Sequence, residues 1–194
     1  MTEQQPYAIV QSHDDFEVRR YPEHMLAEVI TEGTFEEAGN RAFRCLFAYI
    51  SGENRASRKV SMTAPVVQDD AAEKISMTAP VVQQGNGEPG DDHGTSSFRV
   101  AFVLPEGFTL ENAPEPTNPK VQLRVVPESL AAVISFGGRW SSASYQKHLQ
   151  TLRIAVRSEE LVTVGTPRFA RFDPPFKPWF LRHNEILLDL RDPA

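Results

Sequence analysis

A single cysteine, Cys45, stands in the 194 residues. It leaves no internal disulfide to form and no Cys-x-x-Cys chemistry, and a reducing compartment suits it best. No window approaches the roughly 18 consecutive apolar residues of a membrane helix, so no membrane span is expected. Met1–Pro6 has neither the basic start nor the apolar stretch of a secretory leader, and the expected location is the cytoplasm. Lysine and arginine number 20 against 26 aspartates and glutamates, for a net charge of −6. With no basic run above that background, nucleic acid is not an expected partner. Also missing are a phosphate-binding glycine loop, a G-x-S-x-G elbow and an H-E-x-x-H pair. The five histidines, His13, His24, His93, His148 and His183, are scattered with no two at metal-ligand spacing. An enzyme is therefore not expected.

What is present is the alternation of a single α+β domain spanning residues 1–194. Tyr7–Val10 and Phe16–Tyr21 read as strands around the turn His13-Asp14-Asp15. Pro22-Glu23-His24 turns the chain again into a strand over Met25–Thr31. Thr34-Phe35-Glu36-Glu37 matches a capping box. Gly39, Ala42, Phe43, Leu46, Phe47 and Ile50 then recur at helical spacing, and Gly52 is the stop. Later, Val121–Val126 and Leu130–Phe136 read as strands flanking Pro127-Glu128-Ser129. Ser141 or Ser142 can cap a helix with Tyr145, Leu149, Leu152 and Val156 on one face. Phe98–Leu104, Arg168–Phe172 and Glu185–Leu190 read as further strands, and the polar, glycine-rich Gln84–Ser97 as a mobile hairpin loop.

Two repeats organise these elements. Arg19, Pro22, Glu23, Ala27, Gly33 and Ala38 stand 105 positions before Arg124, Pro127, Glu128, Ala132, Gly138 and Ala143, in the same order of turns, strands and helix. The pattern points to an internal duplication, with pseudo-repeats at about 7–104 and 120–190. A tighter repeat lies in the first half, where the block Lys59–Gln68 recurs as Lys74–Gln83, differing only at Val60 and Ile75. Each copy is broken by a proline, so one copy is expected in the sheet and the other at an edge or in a loop.

Cys45, mid-helix among apolar neighbours, reads as an inert structural thiol. Asp14-Asp15 and Asp91-Asp92 sit in turns, where solvation accounts for them. More informative is apolar surface that the fold does not obviously need. The first helix carries a second stripe of Ala38, Ala42, Cys45 and Tyr49, and the proline-rich segment 173–180 holds Phe176, Trp179 and Phe180. Arg55, Arg58 and Lys59 lie beside the first, Lys177 and Arg182 beside the second. Apolar walls with cations at the rim suit a flat apolar ligand bearing peripheral acids. The plainer reading has the aromatic loop folded onto the core and the cations in water.

Tyr49-Ile50-Ser51-Gly52-Glu53-Asn54, Lys59-Val60-Ser61-Met62-Thr63-Ala64-Pro65-Val66, and Asp173-Pro174-Pro175-Phe176-Lys177-Pro178-Trp179 with Arg182-His183-Asn184-Glu185 resemble the SOUL haem-binding protein family. The resemblance runs from about Tyr7 to Leu190, and the doubled block is similar to bacterial members. It implies a distorted antiparallel β-barrel with two flanking helices, from a duplicated βαββ-type unit. It also implies that haem or another porphyrin binds in a shallow hydrophobic groove near the first helix, for buffering or transport. Carried over by position, the groove would use Phe43, Phe47, Arg55, Arg58, Lys59 and Met62. The late loop would add Phe172, Phe176, Lys177, Trp179 and Arg182. Some animal members have a proposed axial histidine just before the tyrosine of the second strand. Here Arg20 precedes Tyr21, so the ligand stays open, with His24, His183 and Met62 as candidates. The oligomeric state is open too, with a monomer favoured.

The duplicated architecture also resembles the gyrase-inhibitor-like effector-binding modules, which take apolar cations. In that alternative Glu28 or Glu185 would face the cation, although strand alternation could equally turn either toward solvent. A tetrapyrrole-modifying enzyme is a third reading, for which the sequence supplies no evident acid or base.

Overall fold

The computed structural model describes residues 3–55, 75, 78–79, 81–85, 96–139, 141–173 and 177–192. Nine strands form its main sheet: β1 (Ala8–Ser12), β2 (Glu17–Tyr21), β3 (His24–Gly33), β4 (Val81–Gly85), β5 (Ser96–Val103), β6 (Gln122–Val126), β7 (Ser129–Gly137), β8 (Arg168–Arg171) and β9 (His183–Leu190). Helix α1 (Phe35–Ile50) follows β3 and helix α2 (Ser142–Ser158) follows β7.

Both helices start where the sequence places them. Thr34 Oγ1 accepts from the Glu37 amide at 3.3 Å and Ser141 Oγ from the Ser144 amide at 3.3 Å, each satisfying a helix-end donor. After α1, Gly52 takes φ +120°, a conformation that costs other residues a Cβ clash. Tyr145, Leu149, Leu152 and Val156 form the buried stripe of α2, as their spacing requires.

The sheet order is β6-β3-β5-β4-β8-β9-β7-β2-β1, and every neighbouring pair is antiparallel. Each half contributes the same βαββ order, β3-α1-β4-β5 and β7-α2-β8-β9, and the two meet at the central pair β4–β8. The halves also exchange a strand. The chain leaves β2 through Pro22 into β3, yet β2 pairs with β7; it leaves β6 through Pro127 into β7, yet β6 pairs with β3. Among the described residues the large antiparallel sheet carries two helices as expected but ends at β6 and β1, so no closed barrel is found where a distorted barrel was expected. At the β1 end all five residues are exposed and the pairing with β2 shifts register between Ile9 and Gln11.

Both helices pack on one face of the sheet. Met25, Ala27, Val29, Val100, Phe102 and Leu104 meet Ala42, Leu46, Tyr49 and Ile50 of α1. Leu130, Ala132, Ile134, Phe136, Ile186 and Leu188 meet the buried stripe of α2. The alternate residues form two further buried clusters on the opposite face, Tyr21, Ala131, Val133, Ala170 and Leu187 in one and Leu26, Ala101 and Val103 in the other. The sheet is thus apolar on both sides.

The second copy of the tight repeat supplies the sheet strand: Val81, Val82 and Gln83 open β4. The first copy, Lys59–Gln68, lies outside the described residues, as do 86–95 of the expected hairpin loop. The small stripe of α1 is core and not ligand surface. Ala38, Ala42 and Tyr49 are buried, and the Tyr49 hydroxyl donates to the Pro114 carbonyl at 2.8 Å. Cys45 is a half-buried free thiol packed against the α1 core.

Candidate functional site

Strand register decides which expected site residues can meet. Ala27 of β3 pairs with Phe102, Phe102 with Val81, Val81 with Arg171, Arg171 with Asn184, and Asn184 with Phe136. This row marks one end of the sheet, where β3 begins, β8 ends and β9 begins. Helix α1 finishes there as well: Arg41 donates to the Glu32 carbonyl at the far end of β3, while Tyr49 and Ile50 share a cluster with Met25 and Leu104. The end of α1 and the late loop around residue 177 therefore occupy the same end of the molecule, whereas His24 shares the strand parity of Leu26, on the face away from α1, and follows Tyr21, which pairs with Ser129 at the other end of β7. From β3 to β8 is three strand spacings, about 14 Å.

At the helix, Phe43 is half-buried with its edge against Phe102 at 5.3 Å. Phe47 stacks on Phe43 at 5.8 Å and 13°, and 48% of it is exposed. A large aromatic that leaves half its surface in water above a second ring is a platform for a flat ligand. Arg55 is exposed, and its backbone pairs with Glu115. Arg58, Lys59 and Met62 lie outside the described residues.

The late loop is arranged differently. Phe172 packs on the face away from the helices, with Tyr21 and Leu187, and meets His183 edge-on at 4.6 Å. Phe43 and Phe172 are thus at one end of the sheet but on opposite faces. Trp179 and Phe180 are exposed and meet edge to face at 5.7 Å. Lys177 is engaged, with Nζ at 2.6 Å from Asp173 Oδ1, and Asp173 Oδ2 also accepts the His183 amide at 2.6 Å. Burial opposes ionisation of Asp173, but these two donors outweigh it and hold the carboxyl below its usual range. Arg182 is half-buried and donates through Nε to the Lys177 carbonyl at 2.7 Å, bracing the loop. Phe176 lies outside the described residues.

The two histidine candidates differ in which nitrogen remains. His24 Nδ1 is 2.8 Å from the Pro22 carbonyl. A carbonyl only accepts, so Nδ1 carries the proton and Nε2 keeps its lone pair. Burial, with help from the nearby arginines 168 and 124 and against the Pro22 bond, pulls the His24 pKa below the ordinary value and favours the neutral ring. In His183 it is Nε2 that is committed, donating to Glu185 Oε1 at 3.0 Å.

Both candidate glutamates point inward, which corrects the solvent-facing possibility. Glu28 is buried and faces Arg124 at 2.8 Å and Arg99 at 3.5 Å. Glu185 is buried and accepts from Arg19 Nη1, Ser135 Oγ and His183 Nε2, all at 3.0 Å. Burial works against its charge, but His183 and Arg19 hold its carboxyl below the usual range. Arg19 in turn binds Glu17 at 2.7 Å and lies 4.2 Å over the Tyr7 ring. Burial, reinforced by the Glu185 charge, pushes the Tyr21 hydroxyl up to about 12. Sequence reasoning had noted Glu185 but missed Arg19, Ser135 and Tyr7 as its surroundings. Only the β2–β7–β9 pairing brings them together. A wider, open depression of ≈ 790 Å³ along the outer side of α2, around Arg153, Ile154 and Leu161, gathers none of the expected site residues. Among the described residues no group of three or more metal-binding side chains occurs, and no helix is long and apolar enough to cross a membrane.

Residues 2–71 and 67–189 match the family model described as SOUL heme-binding protein. No curated protein matches the chain by sequence. Among solved structures the C-terminal domain of EcmrR is similar, with a TM-score of 0.63 at 10% identity over 95% of this chain and 98% of that one. A structure described as a hydrolase from Listeria innocua gives 0.58 at 10% identity, over 94% of each chain. An uncharacterised conserved protein from Listeria innocua gives 0.58 at 12% identity, over 90% of this chain and 92% of that one. At such identities these likenesses concern the fold alone.

Proposed function

The chain belongs to the SOUL heme-binding protein family, and from that premise we propose that it binds haem or a related tetrapyrrole at the α1 end of the sheet, for buffering or transport and not for catalysis. The observation that carries the reading is the half-exposed Phe47 stacked on Phe43 near the end of α1. Phe43, Phe47 and Trp179 would form apolar walls, with Phe176 and Met62 beside them. Arg55 and Arg182 would pair propionates, together with Arg58 and Lys59. Lys177 contributes less in this scheme, because Asp173 already neutralises it.

A bound haem would offer an iron able to take a nitrogen donor, and by its open ring nitrogen His24 would suit that better than His183, from the sheet face away from Phe47. Its Nδ1–H is fixed by a carbonyl, the usual way a protein orients a metal-binding imidazole, and its neutral form is favoured. Titration with hemin tests the reading. A saturable Soret shift at micromolar protein is expected, weakened at least tenfold in an Arg55→Glu, Lys59→Glu double variant. His24→Ala should keep the shift but change the coordination signature in the resonance Raman spectrum, and imidazole should restore it. No saturable shift in the wild type would overturn the haem reading.

A second reading, an effector-binding module for apolar cations, is compatible with the fold likeness to the EcmrR C-terminal domain. Against it, Glu28 and Glu185 are both closed by arginines, so an entering cation must displace a buried ion pair. Tighter binding of a cationic dye such as rhodamine 6G than of hemin would favour this second reading.

A further inference from the structure

The 3₁₀ turn Trp179–Leu181 leaves three large apolar side chains in water, at 53%, 63% and 56% exposure. Consecutive residues of such a turn point about 120° apart, so a turn lying flat on the protein would bury one of the three. None is buried, and Pro178 before them is exposed as well. The turn therefore projects from the surface. It is also braced. The Leu181 amide donates to the Pro178 carbonyl at 3.0 Å, and the Arg182 amide to that of Trp179 at 3.3 Å. Arg182 Nε holds the Lys177 carbonyl, and Asp173 ties Lys177 to the His183 amide. An apolar tip already held in one shape loses little conformational entropy when a partner covers it.

The charge around this tip is one-sided. No aspartate or glutamate stands between Asp173 and Glu185, or between Glu128 and Glu159, in a chain of net charge −6. Gly137 pairs with His183, and a Cβ on it would stand 3.6 Å from the Arg182 carbonyl, so the end of β7 lies beside the turn. Two residues on is Arg139, which is exposed. Among the described residues, Arg139, Lys177 and Arg182 rim the tip against one carboxylate, Asp173, while Glu185 is buried and paired with Arg19. The matching partner is apolar beneath an anionic surface.

Area separates a bilayer from a protein partner. The three side chains offer about 300 Å², well below the roughly 800 Å² that each partner buries in a stable protein interface. A bilayer sets no such requirement. A few apolar side chains enter its headgroup boundary, where tryptophan is favoured, and cations nearby add attraction to acidic lipids.

We propose that the tip Trp179-Phe180-Leu181 docks the protein on an anionic lipid surface, with these side chains in the headgroup region and Arg139 facing acidic headgroups. The docking needs no haem. It shares Trp179 with the proposed groove, but not Phe180, Leu181 or Arg139.

Flotation of the full chain with vesicles of phosphatidylcholine and phosphatidylglycerol in equal parts, against vesicles of phosphatidylcholine alone, tests the proposal. Partition at least tenfold stronger into the anionic vesicles is expected at low salt, with tryptophan emission quenched by lipids brominated high on the acyl chain. Phe180→Ser combined with Leu181→Ser should weaken that partition at least tenfold. Arg139→Glu should weaken it about tenfold. Both variants should keep the wild-type Tm and hemin titration. The proposal is overturned if the wild type floats no better with anionic vesicles than with phosphatidylcholine, or if the double variant floats like the wild type. Self-association of the wild type that the double variant loses, without flotation, would also overturn it and assign the tip to a second copy of the chain.

Discussion

At the residue scale, Glu185 and Arg19 form a buried ion pair that joins β9 to β2. Glu185 and Arg19 are 4% and 5% exposed, and the carboxylate has three donors. Removing its charge leaves a buried guanidinium uncompensated. Glu185→Gln should therefore cost about 3 kcal/mol in urea unfolding, and Glu28→Gln less, because Arg99 and Arg124 are half in water. The sign of the pH dependence follows from the direction of the shifts. Glu185 and Asp173 both ionise more readily folded than unfolded, so their contribution is present above the ordinary carboxylate range. It is lost as pH falls through the lower folded values. Between pH 7 and pH 3 the urea midpoint should fall, and Glu185→Gln should flatten that slope. The orientation of these carboxylates was not legible in the sequence. Period-two alternation separates inside from outside only when one face meets water. Here Ala131 and Val133 are as buried as Ala132 and Ile134, so parity carries no information about exposure.

At the scale of elements, the helices were the most legible part. The Thr34 cap and the four-residue stripe of α2 are local signals, and the structure contains both. Thr34→Ala should lower stability by about 1 kcal/mol in thermal or urea unfolding. Gly39, which reads as one more apolar position, does something the sequence conceals. A Cβ there would stand 3.0 Å from Gln83 Oε1 and 3.2 Å from Arg171 Nη2. Gly39→Ala gains about 1 kcal/mol of helix propensity, but it crowds a carboxamide that is 2% exposed, and disturbing buried polar partners costs about 1–3 kcal/mol. Net destabilisation of about 1 kcal/mol is expected, against the stabilisation that propensity alone gives. The doubled block was legible as a repeat, but its two copies have nearly the same residues. The second copy's place in β4 comes from its partners, β5 and β8.

For the whole molecule, β2 and β6 each pair with a strand of the other half, and from this exchange we expect the halves to unfold as one unit. Neither half holds all the partners of its own sheet strands. Both tryptophans, Trp140 and Trp179, lie in the second half and Cys45 in the first. Tryptophan fluorescence and thiol reactivity should therefore report coincident urea transitions, and separated transitions would refute the single unit. The element order, the matching halves and the capped helices were determined by the sequence itself, because turns, caps and periodicity act between residues a few positions apart. The open sheet, the inward turn of Glu28 and Glu185 and the burial of the small α1 stripe were decided only by tertiary structure. Each depends on which strand lies beside which. Pairing across 166 positions, as between Arg19 and Glu185, is chosen by the competition of whole strands for partners and leaves no local mark.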